Sequence, residues 1–207
     1  MYDLAATMDA ISILLDVERS PRLSGAVVTK KWYSGRPDLE PMVGRHHFVV
    51  DRDEDTWSLS DDNRRFVDVL RPDGRRQYLI RDHVEDLPAG VSVPDEIRLL
   101  FPASELEIWG RTADTWRMVG AETVEGGYLV HIAHPRSKAS YREIFIDTEL
   151  RLPTRLTTVR YLHPKEEIVL SDVRVDGEWA GYVYVNEPQV GTLMASFPVK
   201  RRDHGPL

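Results

Sequence analysis

The sequence predicts a mainly β protein: one curved antiparallel sheet, with an N-terminal helix and a mid-chain helix over its concave face. Three observations carry this. Short β-rich runs recur from residue 26 to residue 185, with turn residues every eight to twelve positions, about ten strands in all. Only two segments have helical character, one at each of the places named above. Several strands are apolar on both faces, as in Tyr141–Asp147, where Tyr141 and Phe145 alternate with Ile144 and Ile146. A sheet of that kind needs cover on both sides or a cavity on one. Two helices are too few to cover ten strands, so the sheet is expected to curl around them and leave part of its hollow open to a ligand.

The helix comes first. Leu4, Met8, Ile11 and Leu15 recur at steps of four, three and four, one stripe of an amphipathic helix over roughly residues 3–18. Asp3 caps its start and Ser20-Pro21 ends it. Strands follow at Ala26–Tyr33, Arg45–Asp51 and Thr56–Ser60, the last two joined by the charged turn Asp51-Arg52-Asp53-Glu54-Asp55. Phe66–Leu70 and Arg76–Ile80 flank Arg71-Pro72-Asp73-Gly74-Arg75, where Pro sets φ and Gly takes a left-handed position. The second helix spans Pro94 to Pro102, with Asp95 and Glu96 in its first turn and Ile97, Leu99, Leu100 and Phe101 behind them.

A strand meander closes the chain. Trp116–Val124 and Tyr128–Ala133 are joined by Glu125-Gly126-Gly127, a hairpin signal. Tyr141–Tyr161 reads as the clearest hairpin: one strand ends at Asp147, turns through Thr148 to Leu152, and restarts after Pro153. Ile168–Val175 and Trp179–Val185 flank Asp176-Gly177. Residues 1–190 form the expected single domain, and 191–207, with Lys200-Arg201-Arg202, a strand or loose tail.

Composition bounds the function. At 207 residues the chain fits one domain. Hydrophobic residues at 42% and charged residues at 29% are ordinary for a globular protein. A net charge of −7 argues against a general affinity for nucleic acid. The absence of cysteine excludes disulfides, thiolate metal sites, a Cys nucleophile and a lipidated Cys in this chain. Asp3, Asp9, Asp16 and Glu18 interrupt the first 20 residues, so no basic-then-apolar export signal is visible and no run reaches a transmembrane length. The chain as given reads as cytoplasmic, or extracytoplasmic if an export signal was removed.

Motifs for chemistry are sparse. Asp51-x-Asp53-x-Asp55 resembles the start of a calcium loop, but the sixth position is Thr56 where that loop needs Gly, so a solvated turn is expected. His131 and His134 lie at a strand end, where residues three apart point to opposite faces, and His46-His47 fail as a metal pair for the same reason. No phosphate-binding glycine loop and no Gly-x-Ser-x-Gly elbow occur. Arg64-Arg65 and Arg75-Arg76 read as solvated turns. No cofactor and no metal are expected, and catalytic residues are not identified. The aromatic residues Trp32, Phe48, Trp57, Tyr78, Trp109, Trp116, Tyr128, Phe145 and Tyr161 are spread over nearly every strand. Singly each is a core residue; as a set they are candidates to line an apolar pocket.

The leading helix, Leu23-Ser24-Gly25 opening a strand, and Ile144-Phe145-Ile146-Asp147 followed by Leu152-Pro153-Thr154-Arg155-Leu156 together resemble the LolA/LolB family of bacterial lipoprotein carriers. The same hairpin occurs in relatives: the RseB/MucB regulators, LppX-type lipoproteins and the biosynthetic enzyme VioE. The resemblance implies an unclosed β-barrel with helices as a lid over an apolar cavity. It implies binding of a hydrophobic ligand such as a lipid, acyl chain or lipidated molecule. A cofactor-independent VioE-like enzyme acting on an apolar or aromatic molecule stays open, as does an RseB-like domain with a protein partner. The chain departs from the carriers in showing no export signal and no lipidation Cys. Ligand identity and oligomeric state are left open.

Overall fold

A computed structural model describes residues 2–17, 20, 22–33, 36, 39–62, 66–70, 74–80, 83–87, 93–101 and 106–175. All of them lie in the compact unit Met1–Gly177. The predicted strand Trp179–Val185, the turn Asp176-Gly177, the tail at 191–207 and the Arg64-Arg65 pair lie outside the described residues.

Helix α1 is Leu4–Asp16. The strands are β1 Arg22–Lys31, β2 Met42–Asp51, β3 Thr56–Asp61, β4 Phe66–Leu70, β5 Arg76–Ile80, β6 His83–Leu87, β7 Arg117–Val124, β8 Gly127–His134, β9 Ser137–Asp147, β10 Leu152–Arg160 and β11 His163–Val175. A 3₁₀ helix, Asp95–Leu100, lies between β6 and β7. The strands form one antiparallel sheet in the order β6-β5-β4-β3-β2-β1-β11-β10-β9-β8-β7. It is two meanders, one running outward from β1 to β6 and one running inward from β7 to β11. Pairing of β1 with β11 fuses them, from Leu23 opposite Val175 to Lys31 opposite Glu166. β6 and β7 are left as opposite edges, so the sheet is mainly β and unclosed, as expected.

The turns follow from local chemistry. The Asp147 carboxylate accepts from the N–H groups of Glu149 and Leu150, both at 2.9 Å, which folds residues 148–151 into the link between β9 and β10. At the β7–β8 hairpin Gly126 has φ 78°, and a Cβ on Gly127 would stand 1.9 Å from the Ile146 carbonyl oxygen. β6, which the sequence pattern did not reveal, is His-Val-Glu-Asp-Leu, a short charged strand of the kind that protects a sheet edge. The other edge is occupied at points: the Met118 N–H donates to the Ile108 carbonyl at 2.6 Å and the Asp3 N–H to that of Ala121 at 3.0 Å.

Both helices cover the same face, with one correction, to α1. The mid-chain helix is a 3₁₀ helix. Ile97 N–H donates to the Pro94 carbonyl and Phe101 N–H to that of Arg98, and six residues give too few turns for α-helical cooperativity. The α1 boundaries match expectation, and Asp3 Oδ1 caps the helix through the Ala5 N–H at 2.9 Å. Its inward face does not. Leu4, Met8 and Leu15 are 78%, 60% and 58% exposed, while Ala6, Ala10, Ile13 and Leu14 are buried. Ala6, Ala10, Ile13 and Val17 make a second stripe of the same period two positions on, roughly 200° round the helix. Periodicity cannot choose between such stripes. Anchoring chooses: the Ala121 N–H donates to Thr7 Oγ1 at 2.9 Å, and with the Asp3–Ala121 bond this fixes the rotation. Small Ala side chains then let the helix lie close on β7, β8 and β10.

Two apolar clusters result. One joins Ala10, Ile13 and Leu14 to Trp116, Val130, Ile132, Ile144 and Ile146. The other joins Leu23, Val27, Phe48 and Trp57 to Ile97, Leu100, Ile168 and Leu170. Leu156 packs against both. Between them they occupy much of the concave face.

Candidate functional site

What the clusters leave unfilled is a cleft between strands β9–β11 and the cover formed by the 3₁₀ helix and residues 106–108. It has two adjacent parts that share Arg142 and Glu166. The inner part is about 150 Å³ and is floored by Ile144, Leu156 and Ile168, with Leu99, Leu106 and Ile108 above. The outer part is about 220 Å³ and is lined by Lys31, Trp32, Arg142, Thr158, Arg160, Lys165 and Glu166.

Strand register builds this division. Side chains alternate across a sheet, so residues paired across strands on one parity share a face. One row on the concave face runs Val130, Ile144, Leu156, Ile168, Thr29. The next row runs Ile132, Arg142, Thr158, Glu166, Lys31. An apolar rung is therefore followed directly by a polar one.

The polar rung is unevenly satisfied. Lys31 lies 3.5 Å from Glu166 and 3.6 Å from Glu96. Burial alone would lower its pKa, but the two carboxylates raise it above the ordinary lysine value. Arg142 lies over the Trp116 ring, 4.5 Å from its centroid. Among the described residues no carboxylate lies within ion-pair reach of Arg142, and its Nε is buried without a hydrogen-bond acceptor. Burial pulls this guanidinium below the usual arginine range; Glu166 pushes against that shift and Arg160 with it. Thr158, directly across from Arg142, is 2% exposed, and its Oγ1 also has no partner among the described residues.

The loop above the cleft is held by Asp114. Its carboxylate accepts from the N–H groups of Trp109 and Arg111, both at 3.0 Å, and meets the Arg111 side chain at 3.0 Å. The Arg111 hydrogen bond leads in holding Asp114 below the usual carboxylate range. The Trp116 N–H donates to the Glu107 carbonyl at 3.1 Å. These contacts place Leu106 and Ile108 over Ile144 and Leu156.

The nine predicted aromatic residues scatter across the sheet. Trp32 lines the outer cleft. Phe48 and Trp57 are core residues of the β1–β3 half. Tyr78 meets Phe66 edge-on at 5.3 Å. Trp116 is buried beneath Arg142, and Trp109 packs partly buried against the same cluster. The Tyr128 hydroxyl donates to Asp9 at 3.1 Å. Phe145 carries Arg155 over its ring on the face opposite Ile144 and Ile146. Tyr161 is 74% exposed in the β10–β11 turn. Arg142 and Thr158 were not singled out from the sequence. Their signal is parity: Arg142 shares the inward parity of Ile144 and Ile146, where a cation is out of place.

The histidines stay apart. His131 Nε2 is 3.0 Å from Glu122, while His134 meets Trp116 edge-on. In the Asp51–Asp55 turn the Glu54 N–H donates to Asp51 Oδ1. Among the described residues no three His, Asp or Glu side chains gather as a metal site, and no helix is long and apolar enough to cross a membrane.

No protein-family model and no curated protein matches the sequence. Solved structures do match. A conserved protein from Thermus thermophilus aligns at TM-score 0.51 with 7% identity, over 83% of this chain and 88% of that one. That likeness establishes a shared fold. Mycobacterium tuberculosis lipoprotein LppX aligns at TM-score 0.41 with 13% identity, over 84% of this chain and 100% of that one. A LolA superfamily protein from Nitrosomonas europaea aligns at 0.38 with 8% identity, over 82% and 94%.

Proposed function

We propose that this protein binds a small molecule with an apolar part in the cleft between β9–β11 and the 3₁₀ helix. One observation carries the reading: in a face that is otherwise packed, a cleft remains between the buried Ile144 and Ile168, the half-buried Leu156 and the cover above them. Apolar surface returns about 25 cal/mol per Å² when removed from water, so covering what Leu156 leaves exposed favours an occupant. Its parts, about 220 and 150 Å³, fall below the ~300–1,000 Å³ typical of ligand pockets. The fitting occupant is a short chain or single ring rather than a whole diacyl lipid.

Dye uptake tests this. An apolar fluorescent dye should bind the parent protein and be displaced by octanol. Leu156→Phe fills the floor at an overpacking cost of about 1–3 kcal/mol and should cut uptake at least fivefold while the protein stays folded. Uptake that is absent from the parent, or unchanged in the folded variant, overturns the reading.

A further inference from the structure

We infer that the polar rung beside the apolar floor is an anion site, and that Arg142 and Thr158 bind the carboxylate or phosphate group of an amphiphile whose chain lies on Leu156. This rests on the binding reading above and names its ligand class. Three independent features point to it. Arg142 Nε and Thr158 Oγ1 face each other across paired strands, and both are buried with no partner among the described residues. Both line the same open cavity. In the outer part the remaining charged lining is mostly basic, with Lys31, Arg160 and Lys165 against Glu166, while the inner part adds Arg98 against Asp95 and Glu107.

The energetics separate this arrangement from an ordinary buried arginine. A guanidinium stays charged at any working pH and offers five donors. Stacking on Trp116 offsets part of its desolvation but satisfies none of those donors. An oxyanion in the outer cleft would accept from Arg142 and from the Thr158 hydroxyl together. Lys31 is already engaged with Glu96 and Glu166, so it contributes field rather than a free hydrogen bond. Arg160 and Lys165, nearer the mouth, favour entry of an anion. Register then sets the ligand's polarity: the charged group lies level with Arg142, and the chain runs one rung inward over Ile144, Leu156 and Ile168.

Three probes test the site by calorimetry on the full chain: octanoate, octanol and inorganic phosphate. The expected result is octanoate tighter than octanol by about tenfold or more, the scale of a charge-assisted hydrogen bond, with phosphate competing weakly for octanoate. Arg142→Met keeps the stem over Trp116 and should erase the difference between octanoate and octanol. Thr158→Val should reduce it severalfold. A second readout guards against a merely structural role: Arg142→Met should melt no lower than the parent, because it removes a buried unpaired cation. Equal binding of octanoate and octanol overturns the anion site and leaves the apolar reading standing. Phosphate binding without either octyl compound overturns the apolar reading and supports the anion site. No binding of any probe overturns both. A large fall in melting temperature in Arg142→Met marks the arginine as structural and overturns its assignment.

Discussion

Each half of the sheet places an arginine over a tryptophan, and the two are equipped differently. In the β1–β6 meander Arg76 lies over Trp57 at 5.2 Å. Its Nε and Nη2 meet both oxygens of Asp68, at 2.7 and 2.5 Å. The two side chains are 11% and 2% exposed. The hydrogen bonds that Arg76 donates to Asp68 lead in raising its pKa. In the β7–β11 meander Arg142 lies over Trp116 with no acid in ion-pair reach among the described residues, and burial lowers its pKa against the pull of Glu166. The first pair closes a core. The second leaves charge and an orphaned hydroxyl beside a cavity. The proposed anion site rests on this difference between the two guanidiniums among the described residues.

The comparison can be broken by removing the acid. Asp68→Ala takes both of those hydrogen bonds from Arg76 and should cost about 3 kcal/mol, on the scale of breaking a buried ion pair. Urea unfolding measures it, and a loss below about 1 kcal/mol would mean the pair is not the closed core element described. The converse change sharpens the contrast. Thr158→Asp puts a carboxylate across from Arg142 and makes the second half resemble the first. Octanoate binding should fall at least tenfold, with stability within about 1 kcal/mol of the parent, since the new pair offsets the cost of burying the carboxylate. Unchanged octanoate binding would separate Arg142 from any anion site.

The smallest effect concerns His46, which pairs with Val27 and lies edge-on to Phe66 at 5.4 Å. Burial lowers its pKa below the ordinary 6.5. The folded protein therefore holds His46 neutral where the unfolded chain would take a proton. Its contribution to stability is intact above the unfolded value and is lost as pH falls through the folded one. His46→Phe should flatten that part of the acid dependence as pH falls below 6.5, read from urea midpoints. A slope identical to the parent's would show that His46 is not held neutral.

Much of the fold was legible because its signals are local. Asp147 with the Leu152-Pro153 restart marks a turn that its own carboxylate closes. Gly126-Gly127 marks a hairpin in which a side chain at the second glycine has no room. Asp3 marks a helix start that it caps. The candidate site was barely legible. Its nine aromatic residues were chosen by type, and type does not report which face or which half of the sheet a residue occupies.

The sequence by itself determined the helix start and the main turns, because capping and turn geometry act over a few residues. Tertiary structure alone decided three things. It chose the Ala6–Ala10–Ile13 stripe of α1 over the equally periodic Leu4–Met8–Leu15 stripe, through bonds to Ala121. It fused the two meanders by pairing β1 with β11, bringing Lys30 to Glu167 from 137 residues away. Through that pairing it set Lys31, Glu166, Thr158 and Arg142 in one row. The physical reason is that strand register is a long-range property: each strand offers an inward parity, but only its partners decide which residues from distant segments share a rung.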